Sequence, residues 1–358
     1  MPLKCGIIGL AGSGKTTLFN SISNHRAEMG TGIRINMGTM VVPDQRLYEI
    51  DQHIHAQKVI PTTVEIVDIP GLAKGGTGMG SQFLADIRNV DALIHVVRCF
   101  DDPQYPHIEG SVNPVRDRET VDLELQIRDI ESVEKKIVRL KKIVKSGDKD
   151  AKQGIAVLES LKEHLESLQS VRTANLKMED RKYISDLFLL SDKPVMYLCN
   201  VDEASAVKGN NYSSQFLESV TLENAEVLTI AARLESEIAE LEVEEDRNEF
   251  LADAGLAEPG INKLIRAAYH LLDLQTFFTI GPKEVRAWTI TRGTTAQQAA
   301  GIIHGDMERG FIRAEVIKQG DFVRLGSEHA CREAGVLLVE GKKYIVKDGD
   351  MLHILFNV

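Results

Sequence analysis

Apolar residues along this chain of 358 residues follow two different spacings. In the N-terminal part, short runs rich in β-branched residues recur, and they predict strands buried on both faces. Helical spacing fills gaps between the runs, as at Ser81 to Arg88 and at Ile261 to Leu272. The predicted strands are Cys5 to Ile8, Met37 to Val42, Val64 to Val67, Ala92 to Val97, Val195 to Leu198 and Val227 to Ile230. We therefore expect an α/β fold with a doubly wound, mostly parallel sheet.

A helical insertion interrupts this alternation over residues 120–190. Its apolar residues recur at spacings of three, four or seven, which predicts helices with one apolar face. The first set is Leu123, Ile127, Ile130, Ile137, Leu140 and Val144, and the second is Ile155, Leu158, Leu161, Leu165 and Leu168. The polar segment from Lys145 to Asp150 predicts a turn between them. We expect a helical coiled-coil hairpin, which serves either as a structural arm or as a docking surface for a partner.

The C-terminal part has a different order of elements. Strand-like runs and one helical run alternate there, at Thr276 to Ile280, Val285 to Ile290, Ala296 to Ile303 (the helix), Phe311 to Ile317 and Met351 to Val358. This order predicts a compact α+β domain over residues 275–358. We place its boundary near Leu274, which leaves residues 1–274 to the α/β domain.

Composition and charge narrow the class of protein. The four cysteines are far apart and form no CxxC or Cys/His cluster, so we expect neither a disulfide framework nor a zinc site. No apolar stretch reaches the roughly 18 residues of a membrane span, which predicts a cytoplasmic protein without a membrane partner. The net charge of −11 argues against a surface covered with phosphate contacts, and we expect no DNA partner. A local basic face could still bind RNA.

A phosphate-binding motif lies near the N-terminus. Gly9-Leu-Ala-Gly-Ser-Gly-Lys-Thr16 matches the P-loop pattern, directly after a predicted strand and before a predicted helix from Thr17 to Ser23. Glycines let backbone N–H groups wrap phosphate oxygens, and the helix N-terminus favours negative charge. The residues expected to form the cradle are Gly12, Ser13, Gly14, Lys15, Thr16 and Thr17. The motif predicts a nucleoside triphosphatase.

Metal and γ-phosphate contacts are expected around this loop. Lys15 should bridge the β- and γ-phosphates, and the Thr16 hydroxyl should bind Mg²⁺. The segment Asp68-Ile-Pro-Gly71 supplies a carboxylate for the Mg²⁺ site and, at Gly71, an N–H that can reach the γ-phosphate from a glycine-rich switch loop. Many signalling GTPases carry glutamine next to orient the attacking water, but this chain has Leu72. Hydrolysis is therefore either slow or assisted from another mobile loop.

A further segment is expected to meet the base. Asn200-Val-Asp-Glu203 ends a predicted strand where guanine-specific relatives have Asn-Lys-x-Asp, so Val201 replaces the lysine and Glu203 the aspartate. Adenine presents an acceptor at N1 where guanine presents a donor, and a carboxylate fixed there would repel adenine. The longer Glu203 can point elsewhere, which leaves Asn200 and nearby backbone to meet the adenine 6-amino group. Ala231, after the next predicted strand, is included in this base site.

Several longer segments carry a family resemblance. They are Asp68 to Gly71, Gln82 to Arg88, His95 to Phe100, Asn200 to Glu203, Lys283 to Thr289, Gly310 to Glu315 and Asp348 to Val358. Together they closely resemble the Obg-like ATPases of the YchF type, over essentially the whole chain. The resemblance implies a P-loop domain of the translation-factor-related class, a coiled-coil insertion and a C-terminal TGS domain of β-grasp type. It also implies hydrolysis of ATP in preference to GTP and association with ribosomes.

The resemblance also implies a part in hydrolysis for His107, which matches a histidine on a flexible loop of the family. A loop histidine that titrates near neutrality could orient water or accept its proton, although an exposed loop histidine often does neither. Gly32 stands where the family usually has a switch threonine, and Thr31 is its neighbour. Gly12 stands where the family often has an asparagine linked to activation by potassium. These departures leave open how fast the chain hydrolyses nucleotide.

Three functions remain compatible with these observations. The first is an ATPase whose nucleotide controls binding to ribosomes, and the second is a GTPase of ribosome-assembly type with an altered base motif. The third is a slow-turnover, nucleotide-dependent module that binds RNA or ribosomes. Arginines of the C-terminal domain could contact ribosomal RNA or could form an ordinary solvated face. They are Arg286, Arg292, Arg309, Arg313 and Arg324.

Overall fold

The computed structural model of the chain describes residues 3–22, 36–70, 81–144, 148–223, 225–241 and 243–357. The described strands are β1 (Lys4–Ile8), β2 (Asn36–Val41), β3 (Val59–Ile60), β4 (Thr63–Asp68), β5 (Ala92–Cys99), β6 (Val195–Val201), β7 (Val227–Ile230), β8 (Leu274–Thr279), β9 (Val285–Thr291), β10 (Phe311–Lys318), β11 (Leu338–Glu340) and β12 (Asp350–Phe356). The described α-helices are α1 (Lys15–Ile22), α2 (Gln45–Ile54), α3 (Ser81–Arg88), α4 (Pro114–Val144), α5 (Lys149–Glu166), α6 (Asn211–Val220), α7 (Ala232–Glu240), α8 (Glu244–Asp253), α9 (Gly260–Leu271), α10 (Ala296–Ile303), α11 (Gly305–Arg309), α12 (Gln319–Leu325) and α13 (Glu328–Glu333). None of these helices is long and apolar enough to cross a membrane.

The chain divides into two compact units. Unit 1 comprises Met1–Gly38 and Glu65–Leu264, and unit 2 comprises Thr39–Val64 and Ile265–Val358. Each unit is built around its own sheet, and the nucleotide-binding motifs of the sequence fall in unit 1.

A six-stranded sheet in the order β2-β4-β1-β5-β6-β7 carries these motifs. β1 pairs in parallel with β4 and β5, and β6 pairs in parallel with β5 and β7. β5 and β6 are buried along their whole length, as continuous apolar runs require. The α/β class and all six predicted strands are confirmed, and β5 and β6 extend further than predicted. Because parallel strands end at one edge of a sheet, the segments after β1, β4 and β6 come together there.

Helices α4 and α5 form the predicted hairpin and share an apolar cluster. The predicted apolar face of α4 is partly wrong. Leu123 and Ile127 are 43% and 41% exposed, whereas Val121, Leu125 and Val133 are buried. The first part of α4 packs Val121 and Leu125 into the core of the unit 1 sheet instead of against α5. The helix therefore changes its packing partner along its length. A single periodic set of apolar residues cannot predict two different buried faces.

Buried polar residues also obscure the α4 pattern. The Asp129 carboxylate is 1% exposed and accepts hydrogen bonds from the N–H groups of Leu190 and Ser191 at 2.7 and 2.8 Å. Burial raises the pKa of Asp129 to about 6, although these hydrogen bonds oppose the rise. A satisfied carboxylate can occupy a helix face that a hydrophobic pattern would exclude. α4 also begins at Pro114 rather than near residue 120, since proline suits the first turn of a helix.

Unit 2 contains a second six-stranded sheet, in the order β11-β10-β12-β8-β9-β3. β8 pairs antiparallel with β9 and parallel with β12, and β10 pairs antiparallel with β11 and β12. The predicted strands β8, β9, β10 and β12 and the predicted helix α10 are present. The short elements β3, β11, α11, α12 and α13 and the helix α2 were not predicted. The β-grasp assignment of this unit stays a prediction.

The division of the structure differs from the predicted domain limits of 1–274 and 275–358. α2 and β3 precede β4 in the chain, yet they belong to unit 2. α2 buries Leu47 and Ile50 in one cluster with Phe278 and Val285, and β3 pairs in parallel with β9. A boundary drawn along the sequence could not reveal this, because the partners of α2 and β3 lie far along the chain.

Candidate functional site

The phosphate-binding loop connects β1 to α1. Gly9, Gly12 and Gly14 have φ angles of 146°, 79° and 94°, which residues with a Cβ rarely adopt. A Cβ on Gly14 would in addition lie 2.1 Å from Asn200 Nδ2. Glycine at position 14 therefore permits both the turn and the close contact with the end of β6.

The other predicted residues of the cradle differ in exposure. Gly12, Thr16 and Thr17 are exposed, and Ser13 is buried. The Ser13 hydroxyl oxygen has no hydrogen-bond partner among the described residues. The loop thus exposes the two threonines at the start of α1, while the Ser13 hydroxyl at its centre is buried.

Lys15 is buried at the start of α1. It is 6% exposed, and its Nζ donates a hydrogen bond of 2.7 Å to the carbonyl oxygen of Leu10. Loss of hydration lowers the pKa of Lys15 to about 8, and the nearby Asp68 carboxylate opposes this change. The ammonium group therefore lies inside the loop, where phosphate oxygens can replace a carbonyl oxygen as its acceptor.

Thr16 and Asp68 form a hydroxyl–carboxylate pair close to this lysine. Asp68 ends β4, and the parallel register with β1 places it opposite Ile7. Thr16 Oγ1 donates to Asp68 Oδ2 at 3.3 Å, and Asp68 Oδ1 is buried with no hydrogen-bond partner among the described residues. Burial raises the pKa of Asp68, while Lys15 and Thr16 lower it. An unpartnered buried carboxylate oxygen is costly, so a cation at this position would be stabilised.

Asn200 has a different environment from the one predicted. It is 4% exposed, its Nδ2 donates to the Ser13 carbonyl oxygen at 2.9 Å, and its Oδ1 accepts from the Ala232 N–H at 3.0 Å. Both ends of the amide therefore bind protein backbone. The amide joins the phosphate loop to the start of α7, and this geometry does not support the predicted contact between Asn200 and the adenine 6-amino group.

The remaining base-site residues contribute mainly backbone. Val201 and Ala231 are 4% and 2% exposed, and both side chains lie in the core of unit 1. Val201 therefore cannot cover a base as an aliphatic lysine stem would. Glu203 is exposed at the start of a 3₁₀ turn over Glu203–Ser205, which Asp202 caps by accepting from the Ser205 N–H at 3.1 Å. Of the three, Glu203 alone presents a side chain to solvent.

Arg98 lies near the site and is not among the predicted site residues. It is 3% exposed, and its guanidinium donates to the carbonyl oxygens of Phe100 and Tyr105 at 3.0 and 2.7 Å. Its Nη1 would lie 3.7 Å from a Cβ on Gly12. Arg98 thus brings positive charge close to the phosphate loop and shapes the loop that contains His107. A lone arginine within a run of buried strand residues is the sequence signal for it.

His107 is engaged at both ring nitrogens. Nε2 lies 2.8 Å from Asp117 Oδ2, and Nδ1 accepts from the Glu109 N–H at 3.1 Å. Since Nδ1 is an acceptor, a neutral His107 carries its proton on Nε2 and donates it to Asp117. The side chains of His107 and Asp117 are only 5% and 3% exposed. The expectation of a flexible loop histidine is therefore not met in this conformation, and a part in hydrolysis stays a prediction.

A buried ion network at the base of the helical hairpin was not predicted. Arg118 and Arg172 bind Asp122 at 3.2 and 3.3 Å, and Arg118 also binds Glu223 at 2.8 Å. The Tyr197 hydroxyl, on β6, donates to Glu223 at 2.9 Å. The network thus connects α4 to the strand that ends beside Asn200. Apart from the i,i+4 spacing of Arg118 and Asp122 on α4, no sequence signal marks it, because its other members are far apart in the chain.

Several predicted residues lie outside the part of the chain that the structure describes. They are Gly71, Leu72, Thr31 and Gly32. The expected contact between the Gly71 N–H and the γ-phosphate therefore stays a prediction, as does the effect of Gly32 on metal binding.

The strand, glycine loop and helix around a buried lysine, with a threonine and an aspartate beside it, define a P-loop nucleotide triphosphatase, a nucleotide-hydrolysing enzyme. Two relatives are named ribosome-binding ATPase YchF, one from Escherichia coli O157:H7 and one from Bacillus subtilis strain 168. They are 46% and 45% identical to this chain, and each match covers 100% of both chains. The chain belongs to the YchF family.

Two family descriptions and one solved structure agree with this assignment. Residues 4–145 match the family described as 50S ribosome-binding GTPase. Residues 274–357 match YchF-GTPase_C, described as a protein of unknown function (DUF933). The structure of the Schizosaccharomyces pombe YchF GTPase is 32% identical and superposes with a TM-score of 0.89, covering 99% of this chain and 97% of that one.

We expect the affinity for nucleoside triphosphate to fall as the pH rises through about 8, the pKa of Lys15 in the free protein. Phosphate keeps the lysine protonated in the complex, so above that pKa the affinity should fall by up to about tenfold per pH unit. Calorimetric titrations with ATP across this range measure the effect. Lys15→Ala is the control, which should bind weakly without this slope. An equal slope in the variant would assign the titration to another group.

We expect Asn200→Ala to weaken the binding of ATP and GTP by similar factors. The substitution leaves the Ser13 carbonyl oxygen and the Ala232 N–H without their buried partner, at a cost of about 1–3 kcal/mol that loosens the phosphate loop. Competition binding with both nucleotides measures the two factors. A loss confined to ATP would contradict the bridging role and restore the predicted contact with adenine.

Proposed function

We propose that this chain is a Mg²⁺-dependent nucleoside triphosphatase that prefers ATP to GTP and whose bound nucleotide controls its association with ribosomes. The observation that carries the proposal is the Thr16–Asp68 pair close to the buried Lys15. Lys15 binds the β- and γ-phosphates, and the backbone N–H groups of the loop hold the same oxygens. Full-length relatives named as ribosome-binding ATPases support the rest of the proposal.

The residues present fit Mg²⁺. The ion prefers oxygen ligands and is commonly held by one or two protein groups together with substrate phosphates. Thr16 offers a hydroxyl, and Asp68 offers a carboxylate whose Oδ1 has no partner among the described residues. When bound, the ion supplies positive charge to the phosphate oxygens as the bond to the γ-phosphate breaks. Thr16 and Asp68 orient that charge, and Lys15 adds its own.

The proposed preference for ATP rests on the lack of a fixed carboxylate for guanine among the described residues of the base site. Guanine recognition uses a fixed carboxylate that accepts from N1–H and the 2-amino group. Glu203 is exposed and one methylene longer than aspartate, and no hydrogen bond to a described residue fixes it. Backbone groups near Val201 and Ala231 remain to contact the adenine edge. Guanine therefore gains little binding free energy at this site.

The proposed association with ribosomes rests on the relatives and not on the geometry of the nucleotide site. We extend it to contact with ribosomal RNA, with no DNA or membrane partner and a cytoplasmic location. The predicted arginine face of unit 2 supports RNA contact less than its sequence suggested. Arg292 and Arg324 form ion pairs with Asp273 and Asp321 at 3.0 and 2.6 Å, and Arg309 pairs with Asp306.

We expect ATP to bind at least several-fold more tightly than GTP in the presence of Mg²⁺. An unfixed carboxylate at Glu203 cannot give guanine its usual pair of hydrogen bonds, each worth about 1 kcal/mol or more. Displacement of a fluorescent ATP analogue by each nucleotide gives the ratio, and Lys15→Ala shows whether the phosphate site is being measured. A clear preference for GTP would overturn the proposal and favour the GTPase of ribosome-assembly type.

A second candidate is a slow-turnover module that binds nucleotide and ribosomes but hydrolyses little. The contacts of His107 with Asp117 and Glu109 favour it, because a ring bound at both nitrogens is not free to orient water. Measurement of phosphate release in a single turnover separates the two candidates.

If His107 assists hydrolysis, His107→Ala should lower phosphate release by about a hundredfold at unchanged ATP affinity. Tyr105→Ala is a matched control, because Tyr105 lies on the same loop and is 67% exposed. Phosphate release that is equally slow in the wild type and both variants, with ATP still bound, would support the slow-turnover module.

A further inference from the structure

A surface cavity of about 560 Å³ lies beside the helical hairpin of unit 1, and none of its lining residues belongs to the phosphate loop. Its volume is in the range of pockets that hold a small molecule or a single nucleotide. Its charged and aromatic lining residues come from α3, from α4 and from the segment after the 3₁₀ turn Arg181–Tyr183. They are Arg88, Lys135, Lys136, Arg139, Asp186 and Phe188.

The cavity is strongly basic in an acidic protein. Four of these side chains are basic and one is a carboxylate, which gives a local charge of +3 in a chain whose net charge is −11. Asp186 is shared by Lys136 and by Arg139, the latter at 3.3 Å. Arg88 and Lys135 are exposed and have no ion pair with a described residue. Within the described part of the chain, these two cations are therefore available to an anionic ligand.

Phe188 adds an aromatic surface to this charge. It is 68% exposed and has a φ angle of 48°, a strained conformation for a bulky residue. Its neighbours hold the backbone, because Leu187 packs on the hairpin cluster and Leu189 is 4% exposed within it. Strain of this kind at an exposed residue suggests a function. The backbone thus places the ring outside the core, where a planar ligand can stack on it.

We propose that this cavity binds single-stranded RNA, with Arg88 and Lys135 on the phosphates and an unpaired base stacked on Phe188. Unpaired bases commonly stack on aromatic side chains beside a basic track for the backbone. The carboxylates of an acidic peptide would use the cations but would not stack on the aromatic ring. Double-stranded RNA keeps its bases stacked on one another and would likewise leave Phe188 unused.

This inference deepens the proposed association with ribosomes by naming the chemistry that one surface recognises. It involves neither the phosphate loop nor the base site. ATP affinity of each variant, measured alongside, therefore separates a failure of this inference from a failure of the proposed ATPase.

The test measures fluorescence anisotropy of a short labelled single-stranded RNA of mixed sequence with the full-length protein at several salt concentrations. Lys135→Ala should weaken binding and reduce the slope of log K against log salt by about 0.7, the loss of one phosphate contact. Phe188→Leu should weaken binding by about tenfold without changing the slope. Phe188→Tyr should keep most of the affinity, because it keeps the ring.

Lys152→Ala on α5 is the matched control, because this substitution removes the same charge as Lys135→Ala. Lys152 is exposed and does not line the cavity. It should bind RNA like the wild type. Any of three results would overturn the proposal: equal losses for Lys152→Ala and Lys135→Ala, wild-type affinity for Phe188→Leu, or equally tight binding of a duplex of the same sequence. Binding of poly-glutamate that competes with the RNA and ignores Phe188→Leu would assign the cavity to an acidic protein segment instead.

Discussion

A single buried amide holds the nucleotide site together. Asn200 donates to the phosphate loop through the Ser13 carbonyl oxygen and accepts from the Ala232 N–H, so the loops after β1 and β7 are fixed relative to β6. The contact leaves no room for a side chain at Gly14. Both hydrogen bonds are needed, because the amide is only 4% exposed. If one end had no partner, the free energy of burying that end would exceed the gain from the other hydrogen bond. The position of the loop therefore depends on this polar contact, and glycine is required at position 14 both by the contact and by a φ angle of 94°.

The same strand connects the site to the helical hairpin. Tyr197 lies three residues before Asn200 on β6, and its hydroxyl reaches the buried ion network that includes Arg118 of α4. The network is only partly satisfied, because the Nε atoms of Arg118 and Arg172 are buried without a hydrogen-bond partner among the described residues. Such networks transmit a change only if they have two arrangements. The structure supplies the physical connection between hairpin and nucleotide site, and the hairpin itself carries the basic cavity beside Phe188.

The sequence was informative where local pattern and chemistry coincide. The glycine spacing and Lys15 identify the phosphate loop, and Asp68 follows from its place at the end of an apolar run. It was less informative where a residue's role depends on its neighbours in space. Asn200 was assigned to the base because of its motif, but its amide is used within the protein. His107 was expected on a flexible loop, but Asp117 engages its ring.

By itself, the sequence determined the P-loop class, the parallel sheet, the helical hairpin and the family, because each is written in short-range spacing or in a contiguous motif. The tertiary structure alone decided which polar groups face each other. It placed α2 and β3 in unit 2, buried Val201, left Asp68 Oδ1 without a partner among the described residues and gathered four basic side chains around Phe188. The reason is physical: spacing determines which face of an element is apolar, whereas the cost of burying a charge or an amide depends on partners far away in the chain.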